Sequence, residues 1–446
     1  MRVLLIQAFL GGNEPLVFPI GLGSLAANLV GHQVRVLDTN LVESPRAALA
    51  EALAEFAPEA IGISLRNIDS TNKREVVFYY PLLGELLEVI ERHTRASVII
   101  GGSGFSMFAR EIMEAEPRFD LGVHLEGEET LQLLLERLDR PETVPSVFYR
   151  RDGALHFSGP LQGPVDLDAI ALPERGALRV GDYRAGFVDA IGVETKRGCP
   201  LSCVYCIYGY LNGKRMRLRD PRLIVDEIEA LVRDHGVERF TFVDSVFNLP
   251  RAHAERICRE LIARGVRARW SAWINERHAD AAFMALAVRA GCVHAIFSPD
   301  AIADPTLRRL GKDMRRADIL RIYRLLSRHP GLEVSYNFFR NPPGQTLGNL
   351  LSILFFVLRA RLRLGRRVHF EFSVLRIEPH TGLHRIALEE GVVDPDDPLL
   401  YPRYYTNPRT RHLDRAFDAL LWLKGRIGRL RARRAAAASS PTEEGA

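Results

Sequence analysis

The chain has 446 residues, which is too long for one hydrophobic core and predicts two or three domains. Its hydrophobic fraction of 47% is that of an ordinary globular protein, and no apolar run reaches the ~18 residues of a membrane span. The net charge of +5 is small beside 60 basic and 55 acidic residues, so we expect no nucleic-acid partner. Basic runs at 359–367 and 424–434 are typical of solvated helix faces.

The first residues combine one arginine with a short apolar run that ends in a glycine turn. This pattern indicates a buried first strand rather than a signal peptide, so we expect a cytoplasmic protein.

Strand and helix signals alternate through residues 1–145. The apolar runs lie at 3–8, 34–37, 60–65, 97–100 and 121–125, and helix-length stretches between them include 22–30, 45–55 and 82–93. Apolar strands that alternate with helices predict a parallel sheet covered on both faces, here a Rossmann-like or flavodoxin-like domain. Ligands of such sheets bind at the carboxyl ends of the strands.

A connector is predicted at 146–188, with a hairpin at 146–157 around Asp152-Gly153. A second alternating block follows at 189–390. Its strand candidates are 190–195, 239–243, 268–273, 293–297, 334–339 and 368–375, and its helix candidates are 222–235, 252–264, 281–290, 316–327 and 347–362. Six such units predict an α/β fold in which the first sheet is followed by an open, partial (β/α)6 barrel.

The rest of the chain is predicted to be a C-terminal cap at 391–434 that includes a helical tail at 414–434. The last residues, 435–446, are small and polar, and we expect them to be disordered.

Three of the five cysteines form a C-x3-C-x2-C motif, Cys199, Cys203 and Cys206, directly after the first barrel strand. Three thiolates on one loop can hold three irons of a [4Fe-4S] cluster and leave the fourth iron open. A zinc site would want a fourth ligand nearby, yet the next cysteine is Cys258 and the nearest histidine is His235. Disulfides do not suit a chain without a secretion signal, and cysteines that only pack would not cluster. Cys258 and Cys292 lie in apolar contexts that suit core packing.

The cysteine motif, with an aromatic Tyr205 before its last cysteine, resembles the radical S-adenosylmethionine (radical SAM) superfamily. The resemblance implies that the open iron chelates SAM and that an electron from the cluster generates a 5'-deoxyadenosyl radical. It also implies an external electron donor of the flavodoxin or ferredoxin type. The residues that it assigns to SAM binding are Tyr205, Asp244, Ser245, Ser298, Asp300 and Asn341, and Asn275, Arg376 and Glu378 point to the same rim.

A Rossmann-like domain ahead of such a barrel resembles the cobalamin (B12)-binding radical SAM enzymes, over residues 1 to about 405. The segment 18–26, the turn Gly101–Gly104 and the segment Glu126–Glu128 carry the resemblance. The residues that it assigns to cobalamin binding are Arg66, Gly101, Gly102, Ser103, Glu126 and Gly127.

The first domain departs from many cobalamin proteins because it has no D-x-H-x-x-G motif, and the loop 10–14 has no histidine. We expect Arg66 to lie under the corrin, where a guanidinium cannot ligate cobalt. The alternative is that Arg66 pairs with Asp69 or with a phosphate. Lys196 and Arg197 precede the cysteine loop and either tune the cluster or pair with rim carboxylates.

These features predict a cobalamin-dependent radical SAM enzyme that uses SAM, a [4Fe-4S] cluster and methylcobalamin to methylate a carbon of a small-molecule or natural-product intermediate. A polar methyl transfer without a radical is a variant. One alternative is a rearrangement or ring contraction, with cobalamin bound unusually or the first domain vestigial. Another is an iron–sulfur electron-transfer module. Tyr401, Tyr404 and Tyr405 are candidate substrate contacts or packing residues.

Overall fold

The computed structural model describes residues 1–12, 14–73, 75–184 and 190–415. They form two main sheets. The strands of the first are β1 (Arg2–Gln7), β2 (Gln33–Asp38), β3 (Ala60–Ser64), β4 (Ser97–Gly101), β5 (Leu121–Val123), β6 (Val147–Arg151) and β7 (Ala154–Phe157). The helices of this part are α1 (Ile20–Asn28), α2 (Pro45–Phe56), α3 (Leu82–His93), α4 (Ser103–Met107), α5 (Ala109–Ala115) and α6 (Glu128–Glu136).

The first five strands are parallel and stand in the order β2-β1-β3-β4-β5, which is the flavodoxin-like order. The order in which strands are added changes direction between β1 and β3, so the carboxyl ends of these strands form the topological switch point at which such sheets bind ligands. The strands are buried on both faces, as the residues of β1 from Val3 to Gln7 show. The predicted parallel sheet is confirmed.

The hairpin β6–β7 belongs to this sheet. β6 pairs antiparallel with β5, where Val147 lies opposite Val123, and β7 pairs with β6 around Asp152 and Gly153. The hairpin was predicted as part of a connector that begins at residue 146, but the sheet continues through it to Phe157.

The second sheet has six parallel strands, and each new strand lies beside the one before it. A small antiparallel pair stands next to it. The strands of this part are β8 (Gly192–Val193), β9 (Lys196–Arg197), β10 (Arg217–Leu218), β11 (Arg239–Phe242), β12 (Arg269–Trp273), β13 (Cys292–Asp300), β14 (Glu333–Phe339) and β15 (Val368–Ser373). The sheet order is β15-β14-β13-β12-β11-β8, and β9 pairs with β10. This confirms the partial (β/α)6 barrel.

The helices that accompany the second sheet are α7 (Val180–Arg184), α8 (Tyr208–Leu211), α9 (Pro221–His235), α10 (Arg251–Ala263), α11 (Ala281–Arg289), α12 (Asp304–Arg309), α13 (Arg316–Leu325) and α14 (Leu347–Leu364). Local sequence signals set their bounds, as α9 shows. The Asp220 side chain accepts a hydrogen bond from the amide of Arg222, Pro221 opens the helix, and Gly236 ends it in the left-handed conformation.

The C-terminal elements β16 (Leu375–Arg376), α15 (Gly382–Glu389) and β17 (Tyr404–Tyr405) pack with the core of the first domain. Leu383 and Tyr405 join the apolar cluster that contains Ile63 and Phe105 of that domain. Tyr405 is 2% exposed, so its ring is a packing residue, whereas Tyr401 is exposed and its ring contacts Phe78 edge-on. The predicted helical tail at 414–434, apart from residues 414 and 415, and the predicted disorder at 435–446 lie outside the described residues.

Helix α14 presents large apolar side chains to solvent along one face. These side chains are Leu347, Leu351, Leu354, Phe355, Leu358 and Leu362. Arg359, Arg361, Arg363 and Arg366 nearby are exposed as the sequence predicted. Within the described ranges, no helix combines the length and the apolar character that a bilayer crossing requires.

Candidate active site between the two sheets

The cysteine loop follows β9 and is held by close backbone contacts. Gly198 has a φ of +90°, and a Cβ at this position would lie 2.1 Å from the carbonyl oxygen of Arg215, so only glycine fits. The amide of Cys199 donates to the carbonyl of Gly213 (3.0 Å), and the amide of Val204 donates to the carbonyl of Leu310 (3.0 Å). The loop is therefore fixed from both sides before any ligand binds.

Cys199, Cys203 and Cys206 all line one cavity of about 460 Å³, and their thiols are free. Burial raises the pKa of the Cys203 thiol, and it raises the pKa of Cys206 to about 11, so these groups need a bound metal to become thiolates at neutral pH. The donor set suits an iron–sulfur cluster, in which each thiolate binds a different iron. No group of three or more His, Cys, Asp or Glu side chains among the described residues could hold a single metal ion.

Tyr205 belongs to a buried cluster at the wall of this cavity. Its hydroxyl donates a short hydrogen bond to Asp300, and the ammonium of Lys312 donates to Asp300 (2.7 Å) and to the carbonyl of Ser298 (2.7 Å). Burial alone would lower the pKa of Lys312, but the charge of Asp300 more than offsets it and the pKa is raised. Asp300 thus holds Tyr205 and Lys312, both of which line the cavity.

Asp244 is likewise engaged within the protein. It accepts hydrogen bonds from the amide of Thr195 (2.9 Å) and from the ammonium of Lys196 (2.6 Å). Both charged groups are buried, so Lys196 pairs with a rim carboxylate, which is the second of the two roles considered for it. The pair joins the end of β11 to the segment that leads into the cysteine loop. Ser245, the next residue, lines the cavity beside Asp244.

Other predicted rim residues take different places. Ser298 and Asn275 line the cysteine-side cavity. Asn341 is buried and contacts the C-terminal segment, because its side chain donates to the carbonyl of Asn407 (3.3 Å) and accepts from the hydroxyl of Thr410 (2.7 Å). Asn341 is not among the residues that line this cavity.

Arg376 and Glu378 also lie away from the cysteine-side cavity. The guanidinium of Arg376 pairs with Asp69 at 2.6 Å and with Glu378, and it stacks over Phe108 of the first domain. These contacts tie the C-terminal strand β16 to the first domain. They also show that Asp69 is already occupied by Arg376.

A second cavity, of about 390 Å³, opens between the first domain and the barrel. Five of the six residues predicted to bind cobalamin line it, namely Gly101, Gly102, Ser103, Glu126 and Gly127. Its floor is apolar, with side chains such as Leu5, Ile63 and Val123, and its volume is that of an ordinary small-molecule site.

Tyr208 and Val243 line both cavities, so the two are neighbours. The side chains of Tyr208 and Val243 thus form a wall, with the cysteine loop on one side and the glycine-rich edge of the first sheet on the other. Gly102 is required by the turn itself, since a Cβ would lie 2.6 Å from the carbonyl oxygen of Leu65. Its small size therefore follows from packing against β3 before any ligand is considered.

Glu126 does more than line the second cavity. Its carboxylate pairs with Arg217 at 2.6 Å and with Arg197 at 3.4 Å. Arg197 also pairs with Glu128 at 2.6 Å and with Glu194 at 3.0 Å. The motif Glu126–Glu128 of the first domain is thus joined by ion pairs to the residue that stands two positions before Cys199.

Arg66 lies apart from the second cavity, at the switch point between β1 and β3. It lines a small cavity of about 20 Å³ with Gln7 and Glu14. Its guanidinium is 3.7 Å from the carboxylate of Glu14, which also accepts a hydrogen bond from Tyr79 (2.6 Å). The suggested pairing with Asp69 is wrong, because Asp69 pairs with Arg376. Among the described residues, none partners the buried Nε of Arg66.

Three residues of the site were missed by sequence reasoning. Glu276 and Lys312 line the cysteine-side cavity, and Tyr208 lines both cavities. Glu276 carried a usable signal, because it stands at the carboxyl end of β12 where barrel active sites lie. Lys312 lies in a loop and Tyr208 in a short helix, and neither position carries a sequence signal of a role in the site.

Comparison with known proteins agrees with this arrangement. The model of the radical SAM superfamily matches residues 193–357, and the model of the B12 binding domain matches residues 13–135. An uncharacterized methyltransferase of Pyrococcus horikoshii, PH0819, is 21% identical over 95% of this chain and 91% of that protein. The cobalamin-dependent radical SAM methyltransferase TokK of Streptomyces tokunonensis is 33% identical over 37% of this chain and 26% of that protein.

Among solved structures, the radical SAM methyltransferase TsrM of Kitasatospora setae, with cobalamin and a [4Fe-4S] cluster bound, superposes with a TM-score of 0.77. The match covers 92% of this chain and 79% of that one at 23% identity, which supports the fold. The two domain matches follow each other along the chain, and they fall on the first sheet and on the second sheet. The chain therefore carries a B12 binding domain followed by a radical SAM domain, and it resembles the cobalamin-dependent radical SAM methyltransferases.

Proposed function

We propose that the protein transfers a methyl group from SAM to a carbon atom of a small organic molecule. The observation that carries this proposal is the wall shared by the two cavities, formed by Tyr208 and Val243. A cysteine-lined cavity beside a glycine-rich cavity would place the two cofactors next to each other, within reach of one substrate. The methyltransferases among the relatives, including PH0819 and TokK, support the choice of reaction.

Cys199, Cys203 and Cys206 would hold the [4Fe-4S] cluster, and the cavity that they line would take SAM. Tyr205, Asp244, Ser245 and Ser298 line this cavity and would contact SAM, and Asp300 would support it from behind through Lys312. Asn341, which was predicted to contact SAM, does not line this cavity, because its side chain bonds Asn407 and Thr410. When bound, the cluster and SAM supply one-electron chemistry at an unactivated carbon.

The cavity lined by Gly101, Gly102, Ser103, Glu126 and Gly127 would take cobalamin. Its volume of about 390 Å³ is that of a small-molecule site, and it lies at the carboxyl ends of strands of the first sheet, where such sheets bind ligands. When bound, cobalamin supplies a transferable methyl group. The chain itself would hold the two sites next to each other and would keep water out of the space where the substrate reacts.

Arg66 would face the lower side of the corrin from the switch point. A guanidinium has no lone pair for cobalt, so the metal would gain no ligand from this side chain. The substitution Arg66→His offers an imidazole in its place. We expect the bound cobalamin of this variant to show the absorption spectrum of a nitrogen-ligated form, whereas a spectrum that is the same as that of the unsubstituted protein would remove Arg66 from the site.

We also propose the domain bounds, the electron donor, the compartment and the substrate class. The first domain would span residues 1–145, the connector 146–188, the barrel 189–390 and the C-terminal cap 391–434. A flavodoxin or ferredoxin would deliver electrons to the cluster, and the cytoplasm would keep the cluster reduced. The substrate would be a small-molecule or natural-product intermediate.

Product analysis tests the proposed reaction. The anaerobically reconstituted protein is incubated with SAM, a reductant and a panel of candidate substrates. We expect S-adenosylhomocysteine and a product heavier by one methyl group, together with 5'-deoxyadenosine if the transfer uses a radical. A polar transfer gives S-adenosylhomocysteine without 5'-deoxyadenosine. The formation of 5'-deoxyadenosine alone, with an unmethylated product, would favour a rearrangement or ring contraction instead.

A further inference from the structure

Glu276 stands at the carboxyl end of β12 and lines the cysteine-side cavity. Its side chain is fully buried, with an exposed fraction of 0%. Among the residues that the structure describes, no other residue donates a hydrogen bond to either carboxyl oxygen. A buried carboxyl group without partners is an exception in a folded protein and calls for a specific explanation.

The other buried carboxylates at this cavity have partners of their own. Asp244 is paired with Lys196, and Asp300 is paired with Lys312. The site therefore supplies cations to its other buried carboxylates, and Glu276 differs from them in having none.

The cations closest in the fold to Glu276 are engaged elsewhere. Lys312 donates to Asp300 and to the carbonyl of Ser298. The guanidinium of Arg321 donates to the backbone carbonyls of Glu276 (2.9 Å) and Ala279, but not to the carboxyl group. The hydroxyl of Tyr336 is the neutral group near Glu276 that also has no partner among the described residues, and it carries no charge to offset a carboxylate. A cation for Glu276 can therefore come from the cavity that it lines.

We propose that Glu276 binds the positively charged group of an organic ligand, an alkylammonium or a sulfonium, in the cysteine-side cavity. A cation within a few ångströms offsets the cost of burying the carboxylate, and the low local polarity strengthens the pair. This inference rests on the proposed function only in naming SAM and an amine-bearing substrate as the two sources of such a cation.

Burial also raises the pKa of Glu276 to about 8, which agrees with a carboxyl group that has no internal counter-ion. A bound cation would return this carboxyl group to its ionised form. The pKa is a consequence of the same geometry and adds no separate argument.

The substitution Glu276→Gln tests the proposal because it keeps the shape of the side chain and removes the charge. We would measure ligand binding to the anaerobically reconstituted protein by equilibrium dialysis, without turnover. The probes are SAM, which carries an ammonium and a sulfonium, S-adenosylhomocysteine, which keeps only the ammonium, 5'-methylthioadenosine, which has neither, and n-butylammonium. Glu333→Gln, which removes the charge of an exposed glutamate at the start of strand β14, is the matched control.

We expect Glu276→Gln to lower the binding affinity of one set of cationic probes roughly 10- to 100-fold, because a charged hydrogen bond is lost. The affinity for 5'-methylthioadenosine should not change, and Glu333→Gln should bind all four probes like the unsubstituted protein. Equal losses for SAM and S-adenosylhomocysteine identify the ammonium of SAM, and a loss for SAM alone identifies its sulfonium. A loss confined to n-butylammonium identifies a site for a substrate amine. Glu276→Asp, which keeps the charge, should retain part of the affinity.

Unchanged affinity for all four probes in a folded Glu276→Gln protein would overturn the proposal and leave Glu276 as a buried acid. The experiment is independent of the reaction. A protein that binds SAM through Glu276 but methylates nothing would contradict the proposed function and leave this inference intact.

Discussion

The guanidinium of Arg197 lies 2.6 Å from the carboxylate of Glu128, and this contact joins the two domains directly beside the cysteine loop. Arg197 stands two residues before Cys199, and Glu128 opens helix α6 at the edge of the second cavity. Glu128 also accepts a hydrogen bond from Ser24 (2.9 Å). This ionic contact therefore holds the edge of the second cavity against the segment that leads into the cysteine loop.

Removal of Arg197 should destabilise the protein strongly. Arg197→Met leaves Glu126, Glu128 and Glu194 without their shared cation, and breaking a buried ion pair from one side costs about 3 kcal/mol or more of the free energy of unfolding. Denaturant unfolding measures this loss. Arg233→Met, which removes an exposed arginine that pairs with Asp234, should leave the midpoint unchanged. Equal effects of the two changes would show that the interdomain contact adds no stability.

The cysteines should divide into two classes. Alanine at Cys199, Cys203 or Cys206 should abolish iron and sulfide retention after reconstitution, because each thiol lines the same cavity. Cys258→Ala, in the buried face of α10, should keep the full iron content and lose only packing. Iron and acid-labile sulfide analysis of the purified variants checks this. Retention of iron in all three motif variants would contradict the assignment.

Gly102 should resist substitution more than a glycine in open space. Its backbone has a φ of 99° and a ψ of 168°, a region that other residues avoid at a cost of about 1–3 kcal/mol. Gly163 has a similar φ of +92°, but a Cβ added there would meet no heavy atom within 4 Å, whereas a Cβ on Gly102 would meet the carbonyl of Leu65. Gly102→Ala should therefore lower the melting temperature clearly more than Gly163→Ala does. Equal decreases in melting temperature would mean that the turn at Gly102 adapts to a Cβ without an energetic cost.

The stability of the ligand-free protein should depend on pH through Glu276. Its pKa is raised from 4.5 to about 8, so the native state holds a proton that the unfolded chain releases. Glu276 therefore destabilises the fold relative to glutamine as the pH rises from 4.5 to 8, by about 1.4 kcal/mol for each pH unit. The charges that act on it are those of Lys312, Asp300 and Asp318, and the buried hydroxyl of Tyr336 stands near it.

Thermal melts across this pH range compare Glu276→Gln with the unsubstituted protein. The gain in melting temperature from Glu276→Gln should be larger at pH 8 than at pH 6. A gain that is the same at both pH values would show that the carboxyl group is ionised in the native state throughout.

Local sequence signals were sufficient for most of the fold. Helix α3 was predicted to within its observed bounds, because its apolar residues recur with helical spacing, and the cysteine loop was placed after the first barrel strand. The hairpin β6–β7 was recognised from Asp152-Gly153. Its pairing with β5 was not, because a contact between distant parts of the chain leaves no local pattern.

The candidate site was predicted in part for the same reason. The three cysteines and the glycine-rich turn are compact motifs whose chemistry depends on spacing alone. Arg197 and Glu128 are 69 residues apart in the sequence, and neither residue carries a mark of its partner. The position of Glu276 after β12 was visible in the sequence, but its complete burial was not. Such roles depend on burial and on tertiary partners, which the sequence does not display.

We infer from the neighbouring cavities that one chain holds a cluster and cobalamin side by side. The most direct test is to reconstitute the protein anaerobically with iron, sulfide and hydroxocobalamin, remove unbound ligand on a sizing column and record the absorption spectrum. We predict that about one equivalent of cobalamin elutes with the iron–sulfur absorbance and that a Cys203→Ala protein retains cobalamin without the cluster. A protein that keeps its cluster and releases all cobalamin would contradict the account.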